Sequence, residues 1–488
     1  MFNNLTLVGL GHVVLGLLLT YDILMHKHRP VSAVLWLGLV WGFPYGGVLL
    51  YLTFGMDRIQ RSARARTVAA ELVAQRALAH PTSERLAVGD PETRYRLYRE
   101  HPAGGILRAT DGRSSLNWLV PGNRVDLLVD GDDFYPELLR AIQDARETIH
   151  LQTFIFARDR FGWQLLELLA ERARAGVKVR LLYDRFGSSL AFFSRMFEGA
   201  KRAGVHAQSI SQANPIKGRF QINLRNHRKV AVMDGRLGFV GGINLAEENL
   251  SWCTDGNPIR DYHFRVTGPV VADLQLEFLK DWFFATREPL DEILQAHMFP
   301  RIEPVGSALV KILPGGPVAT GHGLDDAFFA MLTAATHSLK ITTPYFVPDE
   351  PIVEAIRSAA LKGVSVDLVV PRENNHWYTG AAARSLYGPL LKVGVRVWER
   401  RPPFMHAKSL VVDELVALVG SANLDYRSLH LNFETNMQVA DEAFVTRLSR
   451  QIDSEIAASV AVTGADHEAR PVSRKLVQNF CFLLQPLL

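Results

Sequence analysis

"NHRKVAVMDGRLGFVGGIN", residues 226–244, contains two short apolar runs turned around "DGR". His227 and Lys229 lead into the first run, Asp234 closes it, and Gly242 and Asn244 close the second. In an extended strand, side chains two residues apart project from the same face, so His227 and Lys229 point together. "MHAKSLVVDELVALVGSAN", residues 405–423, repeats the arrangement with His406, Lys408, Asp413, Ser421 and Asn423. Both stretches read H-x-K-x4-D-x6-G-[GS]-x-N, with the histidines 179 residues apart (406 − 227). One H-x-K-x4-D match arises by chance in about one chain in thirty of this length. Two matches with the same small-residue ending in corresponding places are a duplication.

The duplication extends beyond the motif. Upstream of the first copy, "VDLLVDG" predicts a strand, "FYPELLRAIQDARE" an amphipathic helix, and "TIHLQTFIF" a buried strand. "WQLLELLAERARAG" then predicts a helix with a glycine cap and "VKVRLLYD" a further strand. Upstream of the second copy the order recurs in "LDDAFFAMLTAATHS", "LKITTPYFV", "PIVEAIRSAALKG" and "VSVDLVVP", with Gly363 in the place of Gly176. The fold expected is α/β, with one repeat over about 119–300 and another over about 301–488. Alternating β and α elements predict mostly parallel strands flanked by helices.

Each repeat offers one imidazole, one ammonium and a small-residue turn. Lysine beside the histidine disfavours a metal, because a fixed cation competes with it. The inventory suits a phosphodiester. Ammoniums and the donors of Asn244, Asn423 and Ser421 stabilise its oxygens, with Gly242 allowing close backbone approach. One histidine attacks phosphorus while the other protonates the leaving alkoxide, so the two start in opposite protonation states. A single repeat supplies only one of them, and the site must form where the repeats meet. Asp261 in "IRDYHFRV" and Glu434 in "NFETNMQV" are candidates to accept the second ring N–H of a histidine and fix its tautomer.

The 488 residues suit two or three domains, and 48% of them are hydrophobic. The net charge of +4 allows an anionic partner without specifying nucleic acid. Only Cys253 and Cys481 are present, which excludes a disulfide framework and fits a reducing compartment. The apolar excess collects at the N-terminus. Residues 5–24 and 31–54 are each long enough to cross a bilayer, with His12 and Asp22 the polar positions in the first. They predict a membrane hairpin over 1–56, joined by the linker 57–118 to the repeats. Arg58, Arg61, Arg64 and Arg66 after the hairpin, against Lys27 and Arg29 in its turn, place the catalytic portion on the cytoplasmic side. The same arginines suit anionic headgroups. "DWFFATREPL" (281–290) and "KLVQNFCFLLQPLL" (475–488) fit bilayer contact and core packing equally well.

These residues resemble the paired HKD motifs of the phospholipase D superfamily, and within it the bacterial cardiolipin synthases. "NHRKVAVMDGRLGFVGGINLAEE", "IRDYHFRVTGPVV", "TPYFVPDE", "MHAKSLVVDELVALVGSANLDYRSLHLNFE" and the apolar hairpin are similar to blocks of that branch, in order along nearly the whole chain. The resemblance implies a multi-pass enzyme of the bacterial inner membrane that acts on phosphatidylglycerol. It would transfer a phosphatidyl group to a second phosphatidylglycerol, giving cardiolipin and glycerol with no metal or cofactor and no nucleic-acid partner. It implies His227, Lys229, Asp234, His406, Lys408 and Asp413 as the active residues, with His227 the nucleophile and His406 the acid/base. The residues alone leave open a hydrolase or a transferase to another headgroup. A nuclease is disfavoured by the membrane segments and by the lack of a basic, aromatic stripe.

Overall fold

The computed structural model describes residues 4–27, 30–55, 58–79, 91–111, 118–210, 224–253, 257–317 and 323–485. The chain divides into two compact units, Met1–Ser62 and Ala63–Leu488.

In the smaller unit, Asn4–His26 is a helix whose stretch Gly9–His26 has a mean hydropathy of 1.4, long and apolar enough to cross a membrane. The second apolar stretch is not the continuous span expected over 31–54. It runs as a helix over Pro30–Gly42, breaks, resumes over Gly46–Leu50 and widens into a π turn over Tyr51–Gly55. Pro44 supplies no N–H to carry the helix onward, and Tyr45 takes a left-handed φ of 56°. Polar groups of the first helix are paired with the second stretch. Tyr51 Oη donates to Asp22 Oδ2 at 2.8 Å, and Trp41 Nε1 donates to Thr20 Oγ1 at 2.9 Å.

Among the described residues of the larger unit, fifteen strands form one sheet. The first repeat contributes β1 (Val120–Val129), β2 (Thr148–Thr153), β3 (Lys178–Tyr183), β4 (His206–Ser209), β5 (Val230–Met233), β6 (Leu237–Gly241) and β7 (Tyr262–Thr267). The second contributes β8 (Ala308–Gly315), β9 (Ser338–Thr342), β10 (Ser365–Pro371), β11 (Arg396–Arg400), β12 (Ser409–Val412), β13 (Val416–Gly420), β14 (Glu434–Ala440) and β15 (Ser459–Val462). Their order is β15-β11-β10-β9-β12-β13-β14-β8-β1-β7-β6-β5-β2-β3-β4. Apart from β15, one half is the other read backwards from the β8–β1 seam. The repeats are therefore related by a pseudo-twofold axis and are not separate domains.

The expectation of mostly parallel strands is wrong. Only β2–β3, β3–β4, β9–β10 and β10–β11 pair in parallel, and the other ten of the fourteen pairings are antiparallel. The βα alternation is confined to those outer strands. The motif strands β5–β6 and β12–β13 are hairpins, whose short turns permit only antiparallel pairing.

Alternation along the strands builds a core on each face. Val230 and Val232 pack with Leu274, Phe444 and Leu448 of the helices Val271–Thr286 and Glu442–Ala457, in a cluster that includes Val411 and joins the two repeats. Ala231 and Met233, on the opposite face, pack with the helices Asp130–Asp144 and Arg160–Arg174. Gly176 and Gly363 take φ of 92° and 90° just past their helices, the left-handed cap that glycine adopts without strain.

Described residues of the expected linker 57–118 pack within the larger unit. Val73 and Ala77 of the helix Arg58–Ala79 are buried against Phe278 and Trp282. Ile106 and Leu107 are buried in a core with Phe328 and Met331. Arg66 does not reach toward headgroups. It is buried, donates to Asp281, and stacks 3.4 Å from the centre of the Phe433 ring. "DWFFATREPL" is also core, with Trp282 2% exposed. Residues 80–90 and 112–117 of that linker lie outside the described residues.

Candidate active site

The residues just before β5 and β12 do not pair with their own repeat. His227 N–H donates to Phe433 O at 2.9 Å, and Phe433 N–H to Arg225 O at 2.9 Å. On the other side of the axis, Arg260 N–H donates to Phe404 O at 2.9 Å and His406 N–H to Arg260 O at 2.6 Å. Each motif histidine thus enters beside the strand start of the opposite repeat, where the next residue is Glu434 or Asp261.

The side chains cross in the same way. His227 Nδ1 lies 3.1 Å from both carboxylate oxygens of Glu434, and His406 Nδ1 lies 2.7 Å from Asp261 Oδ2. Glu434 and Asp261 are buried, whereas the histidine side chains keep 12% and 13% exposure. A carboxylate that accepts a hydrogen bond from Nδ1–H leaves Nε2 bare at the opposite ring edge, the tautomer a nucleophile or base requires. The edge of Phe154 meets the His227 ring at 5.0 Å and that of Tyr345 meets the His406 ring at 5.9 Å, which fixes both ring planes.

Lys229 and Lys408 are buried beside the histidines and fold back onto the carbonyls of His227 and His406. Lys408 Nζ also lies 2.6 Å from His406 Nδ1 and 3.4 Å from Asp261 Oδ2. Desolvation lowers both ammoniums, Lys229 to about 7 and Lys408 to about 8, with the carboxylates opposing the shift. Desolvation and the adjacent lysines push both imidazoles down as well, His406 to about 3. Both carboxyls end below their ordinary range: burial raises them, and the lysines and histidines more than reverse it. With both lysines charged, two cations balance two carboxylates and both imidazoles are neutral. A phosphodiester brings one further negative charge, which favours protonation of one imidazole.

Asp234 and Asp413 are not in this cluster. Asp234 accepts the backbone N–H groups of Arg146, Glu147 and Thr148, each at 2.8 Å, at the start of β2. Asp413 accepts those of Thr336, His337 and Ser338 at the start of β9. Each sits beyond the far end of a four-residue strand from its histidine, about 17 Å from the lysine at 3.3 Å per residue. Three converging amides suit an ionised carboxylate, so the motif aspartate anchors the loop that begins the neighbouring strand.

The small-residue turns support the carboxylates and do not face open space. Ser421 Oγ is fully buried, donates to Glu434 Oε2 at 2.5 Å and accepts from Thr435 N–H at 3.0 Å. A Cβ at Gly242 would collide with both carboxylate oxygens of Asp261. Asn423 Nδ2 donates to Asp425 Oδ2 at 3.0 Å, and Asn244 Oδ1 accepts Ile155 N–H at 3.3 Å. Ser421 and Gly242 thus support the two carboxylates, while Asn244 and Asn423 each have one amide atom paired within the protein.

The family described as "Cardiolipin synthase, PLD-like domain" matches residues 138–282 and 328–456, more than half of the chain and centred on the two repeats. The chain belongs to the cardiolipin synthase family. Residues 14–55 match the family described as "Phospholipase_D-nuclease N-terminal". Among the relatives, Cardiolipin synthase A of Pseudomonas aeruginosa is 35% identical over 100% of this chain and 96% of its own. Major cardiolipin synthase ClsA of Bacillus subtilis is 31% identical over 97% of this chain and 98% of its own. The solved phosphatidylserine synthase of Haemophilus influenzae covers 78% of this chain and all of its own at a TM-score of 0.60 and 15% identity, which shows a shared fold. Membrane association accords with the family and with the apolar N-terminal helix.

Within this cardiolipin synthase fold, several supporting residues have no signal in the motif. Asp130, at the end of β1 with a φ of 61°, accepts the N–H of Asp261 at 2.9 Å and pairs with Arg260. Asp184 accepts Asn226 N–H at 3.0 Å, and Asn226 Nδ2 reaches Asp281, the partner of Arg66. The acidic residue following β3, in "LLYDRFG", is the one sequence feature that marks this layer.

Proposed function

We propose that this chain makes cardiolipin by transferring a phosphatidyl group between two phosphatidylglycerol molecules. The crossed histidine–carboxylate pairs carry the proposal, because they set each imidazole with Nδ1 against a buried carboxylate of the other repeat, beside two buried ammoniums. His227 Nε2, with its Nδ1–H donating to the Glu434 carboxylate, attacks phosphorus while Lys229 and Lys408 stabilise the non-bridging oxygens. The bond from phosphorus to the glycerol headgroup breaks, and His406, protonated as the anionic diester enters, gives its proton to the departing alkoxide. Neutral His406 then takes the proton of a hydroxyl on a second phosphatidylglycerol headgroup. That oxygen attacks the phosphatidyl-histidine, the P–N bond breaks, and His227 is restored. One phosphodiester is exchanged for another, so no energy source need be coupled.

We further propose that the apolar stretches at 4–26 and 30–55 both lie in the bacterial inner membrane, with the catalytic unit in the cytoplasm. The arginines after the second stretch support that side. The test gives the purified chain phosphatidylglycerol in mixed micelles and measures cardiolipin, glycerol and phosphatidic acid. Cardiolipin and glycerol in equal amounts are expected, and phosphatidic acid as the sole product would refute synthesis.

A further inference from the structure

The helix Val472–Leu483 is inverted relative to a surface helix of a soluble protein. Gln478 and Cys481 are its buried residues, while Val472, Leu476, Val477, Phe480 and Leu483 are exposed, together with Leu484 just beyond. At about 100° per residue these six apolar side chains fall within an arc of about 140°, opposite Gln478 and Cys481. Polar groups anchor the inner side. Arg470 pairs with Gln478, and Gln485 Nε2 donates to Pro348 O.

The helix is fixed to the catalytic edge of the sheet. Cys481 and Phe482 pack against Ala381 and Ala382 of the helix Trp377–Leu391, and against Val347. Trp377 and Tyr378, after β10, are exposed, and Tyr378 stacks on His376, whose ring neighbours Tyr345 beside His406. The loop after β3, related by the pseudo-twofold axis, exposes Phe186, Leu190 and Phe193. Arg225, two residues before His227, stacks 3.8 Å from the centre of the Phe186 ring. Exposed apolar side chains from both repeats therefore stand at the same strand ends as the two histidines.

We propose that this rim, with the C-terminal helix as its largest element, seats the catalytic unit on an anionic phospholipid bilayer. Apolar side chains on one arc with basic residues at their margin are the composition of an interfacial helix. Arg474, exposed in the first turn, with Lys475 beside it, complements anionic headgroups. The catalytic unit also follows the apolar N-terminal helix in one chain, so a bilayer is always within reach. This choice of partner rests on the lipid-substrate function proposed above. Its consequence for that site is that a lipid headgroup reaches the histidines without its acyl chains crossing water.

The test places an environment-sensitive fluorophore on F480C, in the full chain with Cys253→Ser and Cys481→Ala, reconstituted into phosphatidylglycerol vesicles. K362C, at the opposite strand ends, is the comparison. The label at 480 is expected to shift to the blue, to be quenched by nitroxide-bearing lipids and to be shielded from aqueous iodide, with the reverse at 362. Equal iodide quenching at both positions would overturn the proposal. So would self-quenching at 480 that scales with protein per vesicle, which would mean a second copy covers the face. Neither readout needs turnover, so a failed synthase assay and a failed docking assay are separate outcomes.

Discussion

Replacing Glu434 with glutamine keeps the shape of a fully buried side chain and removes the charge beside His227. The two carboxylate oxygens lie 3.1 Å from Nδ1. At that separation the attraction to a developing imidazolium is about 5 kcal/mol with an effective dielectric constant of about 20. The amide oxygen still accepts a hydrogen bond worth about 1 kcal/mol, and Ser421 can turn its proton to Thr435 O, 3.4 Å away. The remaining loss of about 3–4 kcal/mol corresponds to about 10²–10³-fold in the attack step. A phosphatidyl ester of p-nitrophenol isolates that step, because its leaving group needs no proton. Glu434→Gln is expected to slow the nitrophenolate burst by this factor. Asp261→Asn should leave the burst rate within a few-fold and slow the steady state, where His406 must deprotonate the lipid acceptor. A lost burst in Asp261→Asn with a normal burst in Glu434→Gln would reverse the two histidines. Equal losses in both variants would refute the division of roles.

Asp234→Asn and Asp413→Asn should each destabilise the fold by about 2–3 kcal/mol, since a charged acceptor of three amides becomes a neutral one; thermal unfolding should fall while turnover per folded molecule stays within a few-fold. Lys408→Met should cost at least about 10²-fold in turnover, because a cation that meets the phosphoryl oxygens is lost, and should also lower thermal stability, because Asp261 stays buried with one cation fewer beside it. Gly242→Ala should lower activity sharply by displacing the Asp261 carboxylate, with the pH dependence of His406 moved as its signature. Two buried histidines should make the fold sensitive to acid. His150, held neutral between Gln275 and Arg180, and His263 are both lowered to about 3 by burial, against about 6.5 unfolded. The unfolded chain binds more protons between those values, so the contribution of these two histidines is complete above about pH 6.5, and each costs up to about 2 kcal/mol by pH 5. Thermal unfolding across pH 5–7 measures the slope, which His150→Gln should reduce.

What was legible in the sequence is what repetition makes visible. The duplicated helix–strand order gave both repeats and their caps, and two histidines in duplicated hairpins gave one site at their junction. The strand directions were not legible, because periodicity reports which face a side chain takes and not which neighbour a strand chooses. Asp261 and Glu434 stood out as acids at strand starts, but the crossing to the opposite histidine depends on two short backbone bridges between segments more than 140 residues apart. Asp234 and Asp413 misled for a different reason. A conserved-looking triad within eight residues suggests a shared site, yet four intervening strand residues carry the acid to the other edge of the sheet. In the second apolar stretch, composition concealed the break at Pro44.

The crossing has a consequence for any chain that carries a single repeat. Cut between the halves, each piece would hold an imidazole without its acceptor and a carboxylate without its donor, both in a low-dielectric setting that penalises them alone. Two such pieces would be complete only when exchanged edge to edge, and their activity would rise with the square of their concentration when dilute. Joining them in one polypeptide replaces that second-order encounter with an effective concentration fixed by the connecting segment. For an enzyme confined to a membrane surface, turnover is then first order in the number of chains present.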